Sequence, residues 1–278
     1  MKDVNVSSVI FSNDRPLALI AGPCVIESRD MTWRIAEALL KITTDLGLPL
    51  VFKASYDKAN RTSVNSFRGP GLEKGLQILS EIKKQFSIPI LTDVHTPQEA
   101  ELASAVADII QIPAFLMRQT DLVVSAARTQ TVLNVKKAQF VSSEEMTYVI
   151  EKIESVNNKN ILLTERGTFF GYHNLVVDYR NLEVMKKTGY PVIFDATHSV
   201  QRPGAGDGKT IGNREFIPLL AKAAVSSGIA GVFMEVHPEP DKGLSDAANM
   251  FPLNRLKSLL KLLMKIDRIV KNEKDRNF

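Results

Sequence analysis

The stretch GLPLVFKAS, residues 47–55, and its counterpart SIPILTDVH, residues 87–95, are built the same way. A breaker (Gly47 and Pro49 in the first, Pro89 in the second) precedes a run of aliphatic and β-branched residues. Each run ends in polar groups: Lys53 and Ser55, then Asp93 and His95. The runs are apolar at consecutive positions, the pattern of a parallel strand covered on both faces. Between them Leu72–Phe86 places apolar residues at three-to-four spacing, so the unit reads strand, helix, strand.

The unit repeats in both directions along the chain. Strands are expected at Leu17–Ala21, Leu50–Ala54, Ile90–Asp93, Ile109–Ile112, Val132–Val135, Ile161–Glu165, Val192–Asp195 and Gly231–Val236. Helices are expected at Met31–Leu46, Leu72–Phe86, Pro97–Ala105, Thr120–Arg128, Ser143–Val156, Asn181–Thr188, Phe216–Ser227 and Leu253–Val270, with Ser142 to Glu145 as a capping signal. Eight strand–helix units in one α/β chain fit a closed (β/α)8 TIM barrel. A doubly wound open sheet is the alternative, weakened by the lack of G-x-G-x-x-G after the first strand. The segment 1–16 is extra, and its Val4–Val6 and Ile10–Phe11 suit a small hairpin closing the N-terminal end of a single barrel domain, 1–278.

Composition sets the outer bounds. The 278 residues are 44% hydrophobic and 24% charged, which excludes a disordered chain, a coiled coil and a collagen-like repeat. The single cysteine, Cys24, excludes an intramolecular disulfide and suits a reducing compartment. The net charge of +4 is spread out, with its densest run at the C-terminal tail, where a solvated helix end is the ordinary reading. No basic stripe suggests nucleic acid. No apolar run is long enough for a membrane span and no signal peptide opens the chain, so a cytoplasmic location is expected.

In a (β/α)8 barrel the chemistry lies at the C-terminal strand ends, and there the polar residues fall into two sets. Lys53, Lys58, Arg61, Lys136 and Arg166 are cations suited to phosphate or carboxylate, unless each pairs with a rim acid such as Asp93, Glu165 or Asp195. Cys24, His198, Glu235 and Asp246, with His95 and His237 nearby, suit a borderline divalent ion such as zinc, iron or manganese. Their spacing is not local, and a lone cysteine after a strand is more often a small buried hydrophobe. Two segments, Gln201–Asn213 and His237–Phe251, read as lids over a substrate or as surface insertions.

The runs IAGPCVIES (20–28), FKASYDKANRTS (52–63), TDVH (92–95), QIPAFLMRQTDL (111–122), NVKKAQF (134–140), LTERGTFFGYHNLVVDYR (163–180), FDATHSVQ (194–201) and FMEVHPEPDKGLSDAANM (233–250) resemble, in order, the 3-deoxy-D-manno-octulosonate 8-phosphate (KDO 8-phosphate) synthase family. KANR is the sharpest part, because the sister family that makes a seven-carbon sugar resembles K-P-R-T-S there. The resemblance implies condensation of phosphoenolpyruvate with D-arabinose 5-phosphate. It implies that Lys58, Lys136 and Arg166 hold phosphoenolpyruvate, in a pocket lined by Lys53, Ser55, Gln111 and Ala114. Asn60, Arg61, Thr62 and Asp93 would bind the sugar phosphate, and Arg118 would reach a neighbouring site in a homotetramer. Thr62 stands where the family commonly has serine, and the hydroxyl is kept. Metal-independent members resemble G-G-M-N-V-L-E-S after the first strand, whereas this chain has Cys24 at the asparagine position. The resemblance therefore implies the metal-dependent class, with Cys24, His198, Glu235 and Asp246 as ligands. Rival readings are an erythrose 4-phosphate acceptor, a Schiff-base aldolase using Lys53 or Lys136, and a non-catalytic binding barrel.

Overall fold

The computed structural model describes residues 1–59, 61, 63–171, 173–204 and 211–272. Asn60 and Thr62, both expected to bind the sugar, lie outside the described residues, as does the middle of the loop 201–213.

The barrel strands are β1 (Ala18–Gly22), β2 (Leu50–Lys53), β3 (Ile90–Asp93), β4 (Ile109–Ile112), β5 (Val132–Lys136), β6 (Ile161–Glu165), β7 (Val192–Asp195) and β8 (Gly231–His237). Each pairs in parallel with the next. β8 also pairs with β1, setting Glu235 opposite Gly22, so the sheet closes and the open doubly wound alternative is excluded. Gly22 is needed where β1 passes β2, because a Cβ there would lie 1.7 Å from the Lys53 carbonyl oxygen.

Among the described residues, eight α-helices cover the sheet: α1 (Arg29–Leu46), α2 (Leu72–Phe86), α3 (Pro97–Ser104), α4 (Thr120–Arg128), α5 (Met146–Glu154), α6 (Arg180–Lys186), α7 (Ile217–Val225) and α8 (Leu253–Asn272). Local chemistry sets their ends. The Ser28 hydroxyl accepts the Met31 N–H at 3.1 Å, and left-handed Gly47 closes α1. Thr96 caps α3, whose first residue is Pro97. α5 starts at Met146, three residues later than expected. Only half of the expected capping box forms, with Glu145 Oε2 accepting the Ser142 N–H at 3.0 Å.

The expected N-terminal hairpin is present, Val4–Val6 against Val9–Phe11. Its Val6, Val9 and Phe11 join Ile20, Val51, Leu91, Ile109, Ile193 and Phe233 in one buried cluster inside the barrel. A second, larger cluster fills the layer between strands and helices. Strand alternation then places the site. Two residues beyond the inward aliphatics of β2, β3, β4 and β7, the same inward row carries Lys53, Asp93, Gln111 and Asp195. In β8, Glu235 follows Phe233 in the same way.

A second hairpin, Thr168–Phe169 with Leu175–Val176, rises after β6, where no structure was expected. The segment after β8 is packed across the strand ends: Ser245, Asn249 and Met250 are buried, and Phe251–Pro252 adds to β8.

Candidate active site

A cavity of about 360 Å³ opens over the C-terminal strand ends. Lys58, Arg61, Lys136, Arg166 and Arg202 bring cations to its wall, and Asp93, Asp195, Glu235 and Asp246 bring carboxylates. His198, Gln111 and Ala114 complete much of the lining.

One corner is a cluster of metal-ligand types. Single atoms of Cys24, Glu235 and Asp246 lie within 4.8 Å of one another. Cys24 Sγ donates to Asp246 Oδ2 at 3.4 Å and stands 2.9 Å from Ser245 Oγ. Asp246 holds a left-handed backbone (φ 47), a conformation aspartate tolerates better than most residues and one that recurs at functional sites. His198 falls outside that three-residue group, yet its Nε2 is 3.5 Å from Glu235 Oε2 and 3.8 Å from Asp246 Oδ2. Its Nδ1 is held by Asp195 Oδ2 at 2.6 Å, which turns Nε2 toward the cluster.

Two observations test whether this corner suits a cation. Glu235 Oε2 is buried with no hydrogen-bond partner among the described residues. Burial pushes the Cys24 thiol well up, and nearby Glu235 adds to the rise, so without a cation the sulfur keeps its proton. A divalent ion would reverse that balance and use the orphaned oxygen, so the donors fit such an ion.

The cations lie close by. Burial works against the charge on Lys58, but Cys24, Asp93, Glu235 and Asp246 outweigh it and raise its pKa; its Nζ donates to Ser55 Oγ at 2.8 Å. Burial also resists ionisation of Asp93, yet Lys58 and His95 hold it well below the usual carboxylate range. Ser55 is hydrogen-bonded to Asp93. Lys136 is bonded to Asp195 and sits 3.3 Å over the Phe233 ring. Burial lowers Lys136 to about 8, with Asp195 opposing the fall. Arg61 gives Nε to the Phe67 carbonyl at 3.1 Å, and Arg166 gives Nη2 to Gln201 Oε1 at 2.5 Å. Arg61 Nη2 and Arg166 Nη1 are buried and unpartnered among the described residues. Unsatisfied buried guanidinium nitrogens are costly unless an anion takes them.

Other expected residues stand elsewhere. Lys53 lies beneath the site rather than on the cavity wall, its Nζ donating to the Cys24 carbonyl at 2.7 Å, the Pro23 carbonyl at 3.2 Å and Glu235 Oε1 at 2.5 Å. With Lys53 on one oxygen, Glu235 is brought to about 2 against the pull of burial. Arg118 is exposed and is not among the residues that line the cavity. His95 bridges Asp93 and Glu99, each 3.2 Å away, and His237 faces Glu27 at 3.7 Å, outside the cluster. Contributors that the sequence pattern missed include Gln201 beside Arg166, Arg202 and Gln139 at the cavity wall, and Ser245 beside Cys24. The usable signal was the two segments read as lids, Gln201 and Arg202 opening the first and Ser245 lying in the second.

A closed (β/α)8 barrel with this density of buried cations at its C-terminal end is an anion-handling barrel enzyme by class. The chain belongs to the DAHP synthetase I family, whose profile matches residues 2–272. Among its relatives, 2-dehydro-3-deoxyphosphooctonate aldolases from Geotalea daltonii and Geotalea uraniireducens are each 54% identical over 271 residues, covering 98% of this chain and 100% of theirs. The enzyme of the same name from Geobacter sulfurreducens is 54% identical over 270 residues, 97% of this chain and 99% of its own.

Proposed function

We propose that this protein condenses phosphoenolpyruvate with D-arabinose 5-phosphate and water, releasing 3-deoxy-D-manno-octulosonate 8-phosphate and inorganic phosphate, a step toward the KDO of lipopolysaccharide. The observation that carries the reading is the pair of buried, unpartnered guanidinium nitrogens on Arg61 and Arg166, set in one cavity with Lys58 and Lys136. Two phosphorylated substrates, one also a carboxylate, would use these donors. The names of the full-length relatives support the eight-carbon product. The name of the matched family favours a second reading, a shorter acceptor such as erythrose 4-phosphate.

In this reading Lys58, Lys136 and Arg166 hold phosphoenolpyruvate, with Gln111 and Ala114 beside it and Lys53 and Ser55 beneath. Arg61, Asp93, Asn60 and Thr62 take the sugar phosphate. C3 of phosphoenolpyruvate attacks the aldehyde carbon, forming a C–C bond, and the aldehyde oxygen takes a proton. Water adds at the cationic C2, and the hemiketal phosphate then expels phosphate by C–O cleavage to leave the ketone. His198, with Nδ1 held by Asp195, would turn Nε2 toward Glu235 Oε2 and the ion, and would move a proton at Nε2 only where no ion takes that nitrogen. Cys24, His198, Glu235 and Asp246 would hold a divalent ion of the zinc, iron or manganese kind. When bound, such an ion would polarise an aldehyde oxygen and acidify water.

The whole chain would act as one barrel domain in a cytoplasmic homotetramer, with Arg118 reaching a neighbouring site. Exposed Phe115, Phe140 and Phe170 on the loops of the same barrel face support a subunit contact there. No described helix is long and apolar enough to cross a membrane. The deciding measurement is phosphate release from phosphoenolpyruvate with a panel of aldose phosphates, before and after chelation and with metals added back. Preference for the four-carbon sugar would overturn the acceptor, and full turnover after metal removal would overturn the metal.

A further inference from the structure

Lys137 and Glu165 are fully buried, and neither lines the cavity. Each is the chain neighbour of a cavity cation, Lys137 of Lys136 at the end of β5 and Glu165 of Arg166 at the end of β6. Successive strand positions face opposite ways, so the two cations project inward while this pair lies behind them.

Behind the site, the pair ties the two strand exits together. Glu165 Oε1 accepts the Arg166 N–H at 3.0 Å and the Gly167 N–H at 2.6 Å. Lys137 Nζ stands 3.7 Å from that oxygen and donates to the Ala138 carbonyl at 3.1 Å and the Val141 carbonyl at 3.2 Å. It also donates to Thr168 Oγ1, across the turn, at 3.4 Å. Gly167 holds φ 92, and a Cβ there would meet Leu175 Cβ at 3.2 Å, so the chain leaves Arg166 along a path that favours glycine. Stability is a weak reason for such a pair, because burying two charges loses much of what their attraction returns. What the pair does supply is direction, for the backbone on either side of Lys136 and Arg166.

We propose that Lys137 and Glu165 are positioning residues that lock the exits of β5 and β6, so that Lys136 and Arg166 present their charges to phosphoenolpyruvate. The proposal rests on the assignment of those two cations to phosphoenolpyruvate. Glu165→Ala removes the acceptor for both amides, whereas Glu165→Gln keeps an oxygen there. In the full chain, Glu165→Ala raises the KM for phosphoenolpyruvate about tenfold or more and moves the KM for arabinose 5-phosphate less than about twofold. Glu165→Gln recovers most of the loss, and Lys137→Met shows the same substrate-selective rise. Thermal melts establish that each variant is folded; where Glu165→Ala is not, Lys137→Met decides. A folded variant with an unchanged phosphoenolpyruvate KM overturns the proposal, and so does a rise of both KM values in step. Calorimetric titration of the wild type with phosphoenolpyruvate separates the two claims. No binding there overturns the substrate assignment, and the positioning proposal with it; binding that Glu165→Ala leaves unchanged overturns the positioning proposal alone.

Discussion

At the N-terminal end of the barrel, Val6, Val9 and Phe11 press on Ile20, Val51 and Leu91, and every side chain in that cluster is apolar. At the other end, one step along the same inward rows, stand Lys53, Asp93, Asp195 and Glu235, all buried and charged. The plugged end gains from area removed from water, which is additive and non-directional. The open end depends on pairing, so losing one partner strands the other charge in a desolvated place. One end is built to hold the barrel shut and the other to bind anions, and substitutions should separate the two.

The largest expected effect is at the charged end. Arg166→Ala or Lys58→Ala lowers kcat/KM by about a thousandfold, the loss typical of removing a preorganised charge donor, with the fold intact by circular dichroism. Activity within tenfold of wild type would erase the contrast. At the plugged end Phe11→Ala costs about 3–5 kcal/mol in denaturant melts, while kcat/KM of the folded fraction is unchanged. A drop in turnover there would show that the two ends are coupled.

A smaller effect concerns pH. Asp93 ionises well below an unfolded aspartate, so as pH falls through the ordinary carboxylate range the unfolded chain takes up the proton first and stability declines. The stabilisation is therefore present at neutral pH and lost on the acid side. The melting-temperature gap between wild type and Asp93→Asn should narrow from about pH 7 to about pH 3, and a constant gap would remove the electrostatic account of Asp93. The smallest effect is at Arg118. Its replacement by alanine should raise the KM for the sugar phosphate by a few-fold and leave that for phosphoenolpyruvate alone. No change in either would place Arg118 outside the site.

Much of the barrel was legible because buried parallel strands carry an unmistakable pattern. All eight expected strands match observed ones to within a residue at either end, and the helices differ mainly by frayed or tightened turns, as where α5 starts at Met146. The hairpin of Thr168–Phe169 with Leu175–Val176 was missed because its strands are only two residues long, too short to show a period. At the site, residue types at strand ends picked out the rim over which the cavity opens but not the depth of each side chain. Lys53 and Lys58 look equivalent in sequence, yet Lys53 is consumed by two carbonyls and Glu235 while Lys58 reaches the cavity.

By itself the sequence determined the alternation of strand and helix, the closure count, and the rim on which cations, thiol and carboxylates gather, because periodicity and strand polarity are local properties of the chain. It also carried the family resemblance, which the relatives' names bear out. Only the tertiary structure decided which charges meet. Lys136 meets Asp195, Lys53 takes Glu235 Oε1, and Lys137 crosses behind Lys136 toward Glu165. Those contacts join residues on different strands, and their distances depend on how the closed sheet brings its edges together, a quantity that no single stretch of sequence contains.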